Sequence, residues 1–282
     1  MSLPCHKRRR WRAVLAAAAL VAAGAAHASP AESSAAASRT LRVCADPDNL
    51  PYSNQHGDGF ENRIAEVLAA ELHATLEYDW WPQRRGYVRR TLGANMCDVL
   101  IGVPADFERV ATTRPYYRSG YVFVTRRGES APAFDSAAIR SRRIGVQLVG
   151  NDMAATPAGH ALTRAGATAN VTGFTIFGDG PAAQRMIAAV DDGSIDAALL
   201  WGPQAGMFAA RARHPLQTRI ASAPPGTPEP FAFDVAVGVK RGNQALLAEL
   251  DDALVRRRAD IDRILADYQV PRLPLVSGGE RP

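Results

Sequence analysis

The chain has 282 residues, with 33 Lys and Arg against 28 Asp and Glu, a formal charge of +5. Five of the basic residues and none of the acidic ones fall in residues 1–28, so the remainder carries 28 of each sign and is formally neutral. That removes net charge as an argument for nucleic-acid binding, and no run is apolar for long enough to span a bilayer.

Lys7, Arg8, Arg9, Arg10 and Arg12 precede the apolar run Ala13 to Ala26, and Ala26-His27-Ala28 offers a small-x-small cleavage site. This is the pattern of a secretory signal peptide over residues 1–28, which places the product in the periplasm. Arg8-Arg9-Arg10-Trp11 is a weak twin-arginine match, and Cys5 lies before the apolar run, where a lipoprotein cysteine does not sit. Residues 29–39, rich in Ala and Ser, read as a disordered lead-in. The remaining chain, about 250 residues, has room for two α/β lobes.

Leu41 to Ala45 is a short β-rich run, and Asp46 to Gly59 is a loop rich in Asp, Asn, Pro and Gly. Phe60 to Leu72 is an amphipathic helix with Ile64, Val67, Leu68 and Leu72 on one face. A strand at 75–80, a helix from Tyr87 to Leu92 and a nearly all-apolar strand from Asp98 to Val103 complete a β-α-β-α-β series. Such a series predicts parallel strands with right-handed crossovers. Pro115 to Thr125 is an extended aromatic run that leads out of the first lobe. A second series has strands at 144–147 and 195–200, an extended segment at 172–177, and helices at 156–164, after Pro181, and at 205–213. Asp135 is placed to cap a short helical turn before it. Pro224 to Pro230 is a linker stiffened by four prolines. Phe233 to Lys240 is a strand returning to the first lobe, and a long helix carries Leu246, Leu250 and Leu254 on to Ile261, Leu265 and Tyr268. The lobes are then 40–125 with 231–270, and 126–230, with a tail at 271–282.

The densest functional signal is Asp79 to Arg90, which packs Trp80, Trp81, Tyr87, Arg84, Arg85, Arg89 and Arg90 between a strand and a helix. The carboxyl ends of strands are where open α/β sheets bind ligands. Indole faces beside guanidinium forks suit a planar or anionic partner. The alternative is that Trp80 packs inward and the arginines are a solvated helical turn. Asp46, Asp48, Asp58 and Glu61 offer oxygens for a hard cation, but their spacing matches no calcium loop, and a hydrated turn is the reading preferred, with no metal expected. Cys44 and Cys97 remain after processing, and an even pair in an oxidising compartment suggests one disulfide. The strand assignments raise an objection, since parallel neighbours would hold the two residues apart, and two buried thiols are the alternative.

The segments VCADPDNLPYSN (43–54), GFEN (59–62), WWPQRRGYVRRTL (80–92), CDVLIGVPA (97–105), TTRPYYRSGYVFVTR (112–126), IGVQLVGND (144–152), TPAGHAL (156–162), IDAALLWGPQAG (195–206) and ILADYQVP (264–271) together resemble one family. It is the quinoprotein-dehydrogenase-associated periplasmic binding proteins, the MxaJ/XoxJ type of methanol-oxidation systems, within the type II periplasmic binding fold. The resemblance implies a two-lobed α/β protein with parallel-dominated sheets and an interlobe cleft, working beside a pyrroloquinoline-quinone (PQQ)-dependent alcohol dehydrogenase. Amino-acid-binding members of the wider fold hold the ligand with an arginine, a pair of amides and an aspartate. Aligned on Pro115-Tyr116, the arginine position falls on Asp106, with Arg109 displaced by three; the aspartate position falls on Trp201; the amide loop reads Leu148 to Asp152. An amino-acid ligand is therefore not expected. The predicted cleft residues are Trp80, Trp81, Arg84, Arg85, Tyr87, Tyr116, Trp201 and Asp46.

No G-x-S-x-G or H-E-x-x-H is present, and His56, His73, His160 and His214 are scattered, so neither an enzyme nor a bound cofactor is expected. Two readings remain. One is an accessory protein that binds the dehydrogenase and assists its maturation or activation. The other is a receptor for a planar or anionic small molecule such as the quinone cofactor, or the solute-binding component of a transporter.

Overall fold

Leu41 and Val43 alternate with polar neighbours in the first strand and point into one face, which fixes the sheet around which the rest assembles. The computed structural model describes residues 39–149 and 154–275; the expected signal peptide and lead-in lie outside the described residues. In chain order the elements are β1 (Thr40–Ala45), the two-residue ladder of β2 (Asp48–Asn49) and β3 (Ser53–Asn54), α1 (Phe60–Glu71) and β4 (Thr75–Trp80). Then come α2 (Tyr87–Arg90), β5 (Val99–Pro104), β6 (Ala111–Thr112) and β7 (Tyr117–Arg126). The next stretch holds α3 (Ala137–Ser141), β8 (Ile144–Val149), β9 (Ala154–Ala155), α4 (Pro157–Arg164), β10 (Val171–Thr175), α5 (Ala182–Asp191) and β11 (Ala197–Trp201). Last are α6 (Gly202–Ala210), β12 (Leu216–Ile220), β13 (Ala232–Val239), α7 (Gln244–Arg256) and α8 (Arg258–Asp267).

The strands run β10-β8-β11-β7-β13-β5-β1-β4. The two ends are parallel, as the βα series predicts: β1 with β4 and β5, and β8 with β10 and β11. The middle is antiparallel, because β7 and β13 run against their neighbours. The segment expected to be only a connector is thus the central strand. Its first residues, Tyr117 to Gly120, pair with Ala232 to Val235 of β13, and its later ones, Tyr121 to Thr125, pair with β11 and β12. Phe60, Ile64 and Leu68 of α1 are fully buried against the β1–β5–β13 side, and Met186, Ile187 and Val190 of α5 pack below β7 and β11.

Several boundaries differ from expectation. The loop at 46–59 contains the β2–β3 ladder. The helix after Gly86 stops at Arg90, and a 3-10 turn at Leu92–Ala94 comes next. Ser136, not Asp135, is the N-cap residue of α3. The helix expected to begin at Ala205 begins at Gly202, directly off β11, with Pro203 in its first turn, where the missing N–H has no intrahelical partner to lose. The polar, exposed strand β12 carried no apolar alternation by which to see it. The expected long terminal helix is broken at Arg257 (φ −100°, ψ 17°) without glycine or proline. Both halves pack on α1, and the bend keeps Leu250 and Leu254 as well as Ile261 and Leu265 in that same buried cluster.

Cys44 and Cys97 form a disulfide, with Cα atoms 5.5 Å apart. The register objection fails because Cys97 is not on a strand: β5 begins only at Val99. Before that the chain turns from the 3-10 segment onto the sheet face, where both cysteines are buried with Tyr87, Leu92 and Leu100. The bridge closes a loop of 53 residues, worth about 4 kcal/mol in the chain-entropy model. Replacing both cysteines by alanine should lower unfolding stability by about that amount, read as a lower urea midpoint, and reductant should then cause no further loss.

Candidate binding site

Strand β4 runs on through Trp80, which pairs with Ala45 of β1. Residues i and i+2 share a face of a strand, so Tyr78 and Trp80 stack, ring centroids 4.5 Å apart and planes within 17°. Both pack against the cluster under α1. Trp81 falls on the next position and is 40 % exposed, with the Arg90 guanidinium 5.9 Å from its ring centre.

The chain then turns through Pro82 to Gly86. Gly86 has φ +87°, a left-handed conformation that glycine adopts without steric cost. The loop is held by Asp46. One oxygen of that carboxylate accepts from the Gln83 backbone N–H at 2.6 Å, the other from that of Asp48 at 3.0 Å. Asn49 adds a side-chain bond to Gln83 at 3.1 Å. Both Asp46 oxygens are therefore engaged by the protein's own backbone.

Between this loop, β5 and the Phe107–Arg109 segment lies a cavity of about 400 Å³, within the range of small-molecule sites. Of the residues predicted from sequence, Arg84, Arg85 and Tyr87 line it, and Arg89 and Arg109 join them. Arg109 comes to the cavity by way of the turns closed by Phe107 N–H to Pro104 and Val110 N–H to Phe107. None of these four arginines forms an ion pair among the described residues. Arg84 reaches across toward the segment after β10, its guanidinium 5.8 Å from the centre of the Phe177 ring.

Glu61, in the first turn of α1, also lines the cavity. Its carboxyl lies over Gly102: a Cβ there would stand 2.0 Å from Oε1. Burial pushes the Glu61 carboxyl up to about 8. The Tyr87 hydroxyl is also buried, with the Gln83 side chain beside it, and burial first and the Glu61 charge second raise its pKa. By sequence, Glu61 is only one of four oxygen donors weighed for a cation. The structure disperses that set: Asp58 accepts from Asn54, Asp46 holds the backbone, and Glu61 faces the cavity.

Other predicted cleft residues lie elsewhere. Tyr116 is 2 % exposed and its hydroxyl donates to the Ile101 carbonyl at 3.0 Å. Trp201 ends β11 and packs edge-on against Tyr121 (5.7 Å) and Phe233 (5.4 Å), touching two buried clusters. No histidine lines the cavity. His160 sits 3.0 Å from Glu229, and His214 sits 2.8 Å from Asp191. The Asp191 carboxyl is pushed down to about 2, chiefly because the His214 backbone N–H donates to it.

Two outcomes are expected. In the folded chain Glu61 keeps its proton up to about pH 8 against an ordinary value of 4.5. Its contribution to stability is therefore full below about pH 4.5 and is lost as pH rises through about 8. Glu61→Gln should flatten that slope in urea titrations at pH 5, 6.5 and 8, while the native chain weakens across the series. Asp46→Ala should cost about 1–3 kcal/mol, since two backbone donors lose a charged acceptor, and should speed amide exchange at Gln83.

The model for bacterial extracellular solute-binding proteins, family 3, matches residues 41–270. Protein MoxJ of Paracoccus denitrificans is 34 % identical over 277 residues, covering 89 % of this chain and 96 % of that protein. Protein MoxJ of Methylorubrum extorquens is 32 % identical over 302 residues, covering 98 % and 99 %. The crystal structure of the periplasmic binding protein XoxJ from Methylobacterium extorquens AM1 superposes with a TM-score of 0.69 at 34 % identity, covering 84 % of this chain and all of that one. A mixed sheet with flanking helices and relatives matched along nearly their whole length agree. The chain belongs to the family 3 bacterial extracellular solute-binding proteins, of the type II periplasmic binding fold, and within them to the group of MoxJ and XoxJ.

Proposed function

We propose that the chain is an exported accessory protein of periplasmic alcohol oxidation, which binds a PQQ-dependent dehydrogenase and assists its maturation or activation. Residues 1–28 direct export in this reading. In the same reading residues 40–125 with 231–270 form one lobe and 126–230 the other. The family is one of binding proteins, and its MoxJ and XoxJ members are the relatives that support a role in methanol oxidation. No helix among the described residues is long and apolar enough to cross a membrane.

The observation that carries the reading is the rim of the cavity. Trp81 and Phe177 are among the few large apolar side chains left exposed, at 40 % and 42 %. Arg90 lies by the Trp81 ring and Arg84 by the Phe177 ring, and Arg84, with the cavity-lining Arg85 and Arg89, forms no ion pair among the described residues. Aromatic and arginine side chains are the groups enriched where interfaces concentrate their energy. An acidic dehydrogenase surface would supply the missing charges.

Calorimetric titration against the dehydrogenase of the same organism, with and without its quinone, tests this. Binding to the cofactor-free form alone would assign the chain to assembly, and equal binding to both would assign it to docking. Arg84→Ala with Arg85→Ala should weaken the complex about tenfold or more while moving unfolding stability by no more than about 0.5 kcal/mol. Absence of heat with either form at about 100 μM, a range that still detects weak complexes, would reject the proposal.

A further inference from the structure

The cavity adds to the rim arginines two groups that the docking proposal does not use, Glu61 and Tyr87. Four guanidiniums, from Arg84, Arg85, Arg89 and Arg109, share it with one carboxyl, Glu61. Close enough for the Glu61 charge to raise their pKa are Tyr52, Tyr78, Tyr87, Tyr116 and Tyr117, all uncharged near neutrality. No ion pair or hydrogen bond takes up the Glu61 carboxyl among the described residues, and the buried Tyr87 hydroxyl has only the Gln83 side chain beside it. An acid that lines a cavity and has no internal partner is placed to bond a further molecule there. Gln83 is a further polar group of the lining, and Leu100, Ile101 and Phe107 give it apolar walls.

Such a lining selects on two grounds. The charge balance favours an anion with several carboxylates, since planar guanidiniums pair with carboxylates two bonds at a time. The apolar walls favour a flat carbon skeleton over a hydrated aliphatic one. We infer that the cavity is a site for a small aromatic polycarboxylate, whose outer carboxylates pair with the arginines while an inner oxygen accepts from the Glu61 carboxyl and the Tyr87 hydroxyl. A zwitterionic amino acid fits less well, because its single carboxylate leaves most of the guanidiniums unanswered. The inference rests on the chain being a binding protein and is independent of any dehydrogenase contact.

Such a site should respond to pH. Glu61 donates only while it holds its proton, which it does to about pH 8; above that it adds a negative charge beside an anionic ligand. Affinity should therefore be highest near neutrality and should fall as pH rises.

Calorimetry of the full exported chain with benzene-1,2,4-tricarboxylate and with PQQ, itself an aromatic tricarboxylate, at pH 7 and pH 9 tests the site. Expected is saturable binding of one molecule with Kd below about 100 μM at pH 7, weakened about tenfold at pH 9. Glu61→Gln, whose amide still donates, should keep the binding and remove the pH difference. Arg84→Ala with Arg85→Ala should weaken it about tenfold or more. No heat from either aromatic probe at about 1 mM, a concentration that reveals even millimolar affinity, would overturn the inference. So would citrate, glutamate or arginine binding as tightly, or a pH difference that persists in Glu61→Gln. Dehydrogenase binding without carboxylate binding would reject this site and leave the docking proposal standing, and the reverse result would do the opposite.

Discussion

Backbone pairing along a single strand holds the structure together. Strand β7 gives its first residues to β13 and its later ones to β11 and β12, so both halves of the sheet depend on one continuous run of chain. Hydrogen bonds alone would leave that strand a hinge. Packing adds to them: Trp201 leaves β11 where Tyr121 pairs with it, and its ring meets Tyr121 and Phe233 edge-on while touching the clusters on both sides. Edge-to-face aromatic pairs add about 0.5–1.5 kcal/mol each beyond their buried area, enough for several of them to bias how the halves sit.

The cavity depends on smaller constraints of the same kind. Asp46 fixes the loop that carries Arg84 and Arg85, and a glycine at 102 leaves room for the Glu61 carboxyl. Neither residue needs to touch a ligand to matter. Positioning comes from backbone donors and from a missing side chain, and the side chains that face the open space are left without internal partners.

Much of this is legible in the residues. The order of strands and helices comes from apolar periodicity, and the Arg84–Arg85–Tyr87 segment from its composition. The blocks from Val43 to Pro271 point to the family. The features that escape have physical causes. Glu61 lies one residue inside a helix start, where an acidic residue usually answers the helix dipole, so nothing local marks it as facing a cavity. Arg109 arrives by way of turns whose geometry spacing does not encode. Tyr116 and Trp201 read as cleft aromatics because aromatic side chains serve cores and sites alike; only the packing tells which. The strand β12 and the break at Arg257 leave no trace, since one is apolar only at its two ends and the other is imposed by the surface of α1.

The stacking of Arg84 on Phe177 has a thermodynamic side. A guanidinium that swings fully into the opening to pair with an anion there leaves the ring it lies over. Whatever draws Arg84 inward gives up that contact, and whatever separates Phe177 from the rim frees Arg84. A cation–π contact at an exposed position is worth about 0.5–1 kcal/mol, a factor of about two to five in population. Competition of that size sets a bias between two arrangements of the opening, and by reciprocity each arrangement shifts the affinity of the other's occupant by the same modest factor.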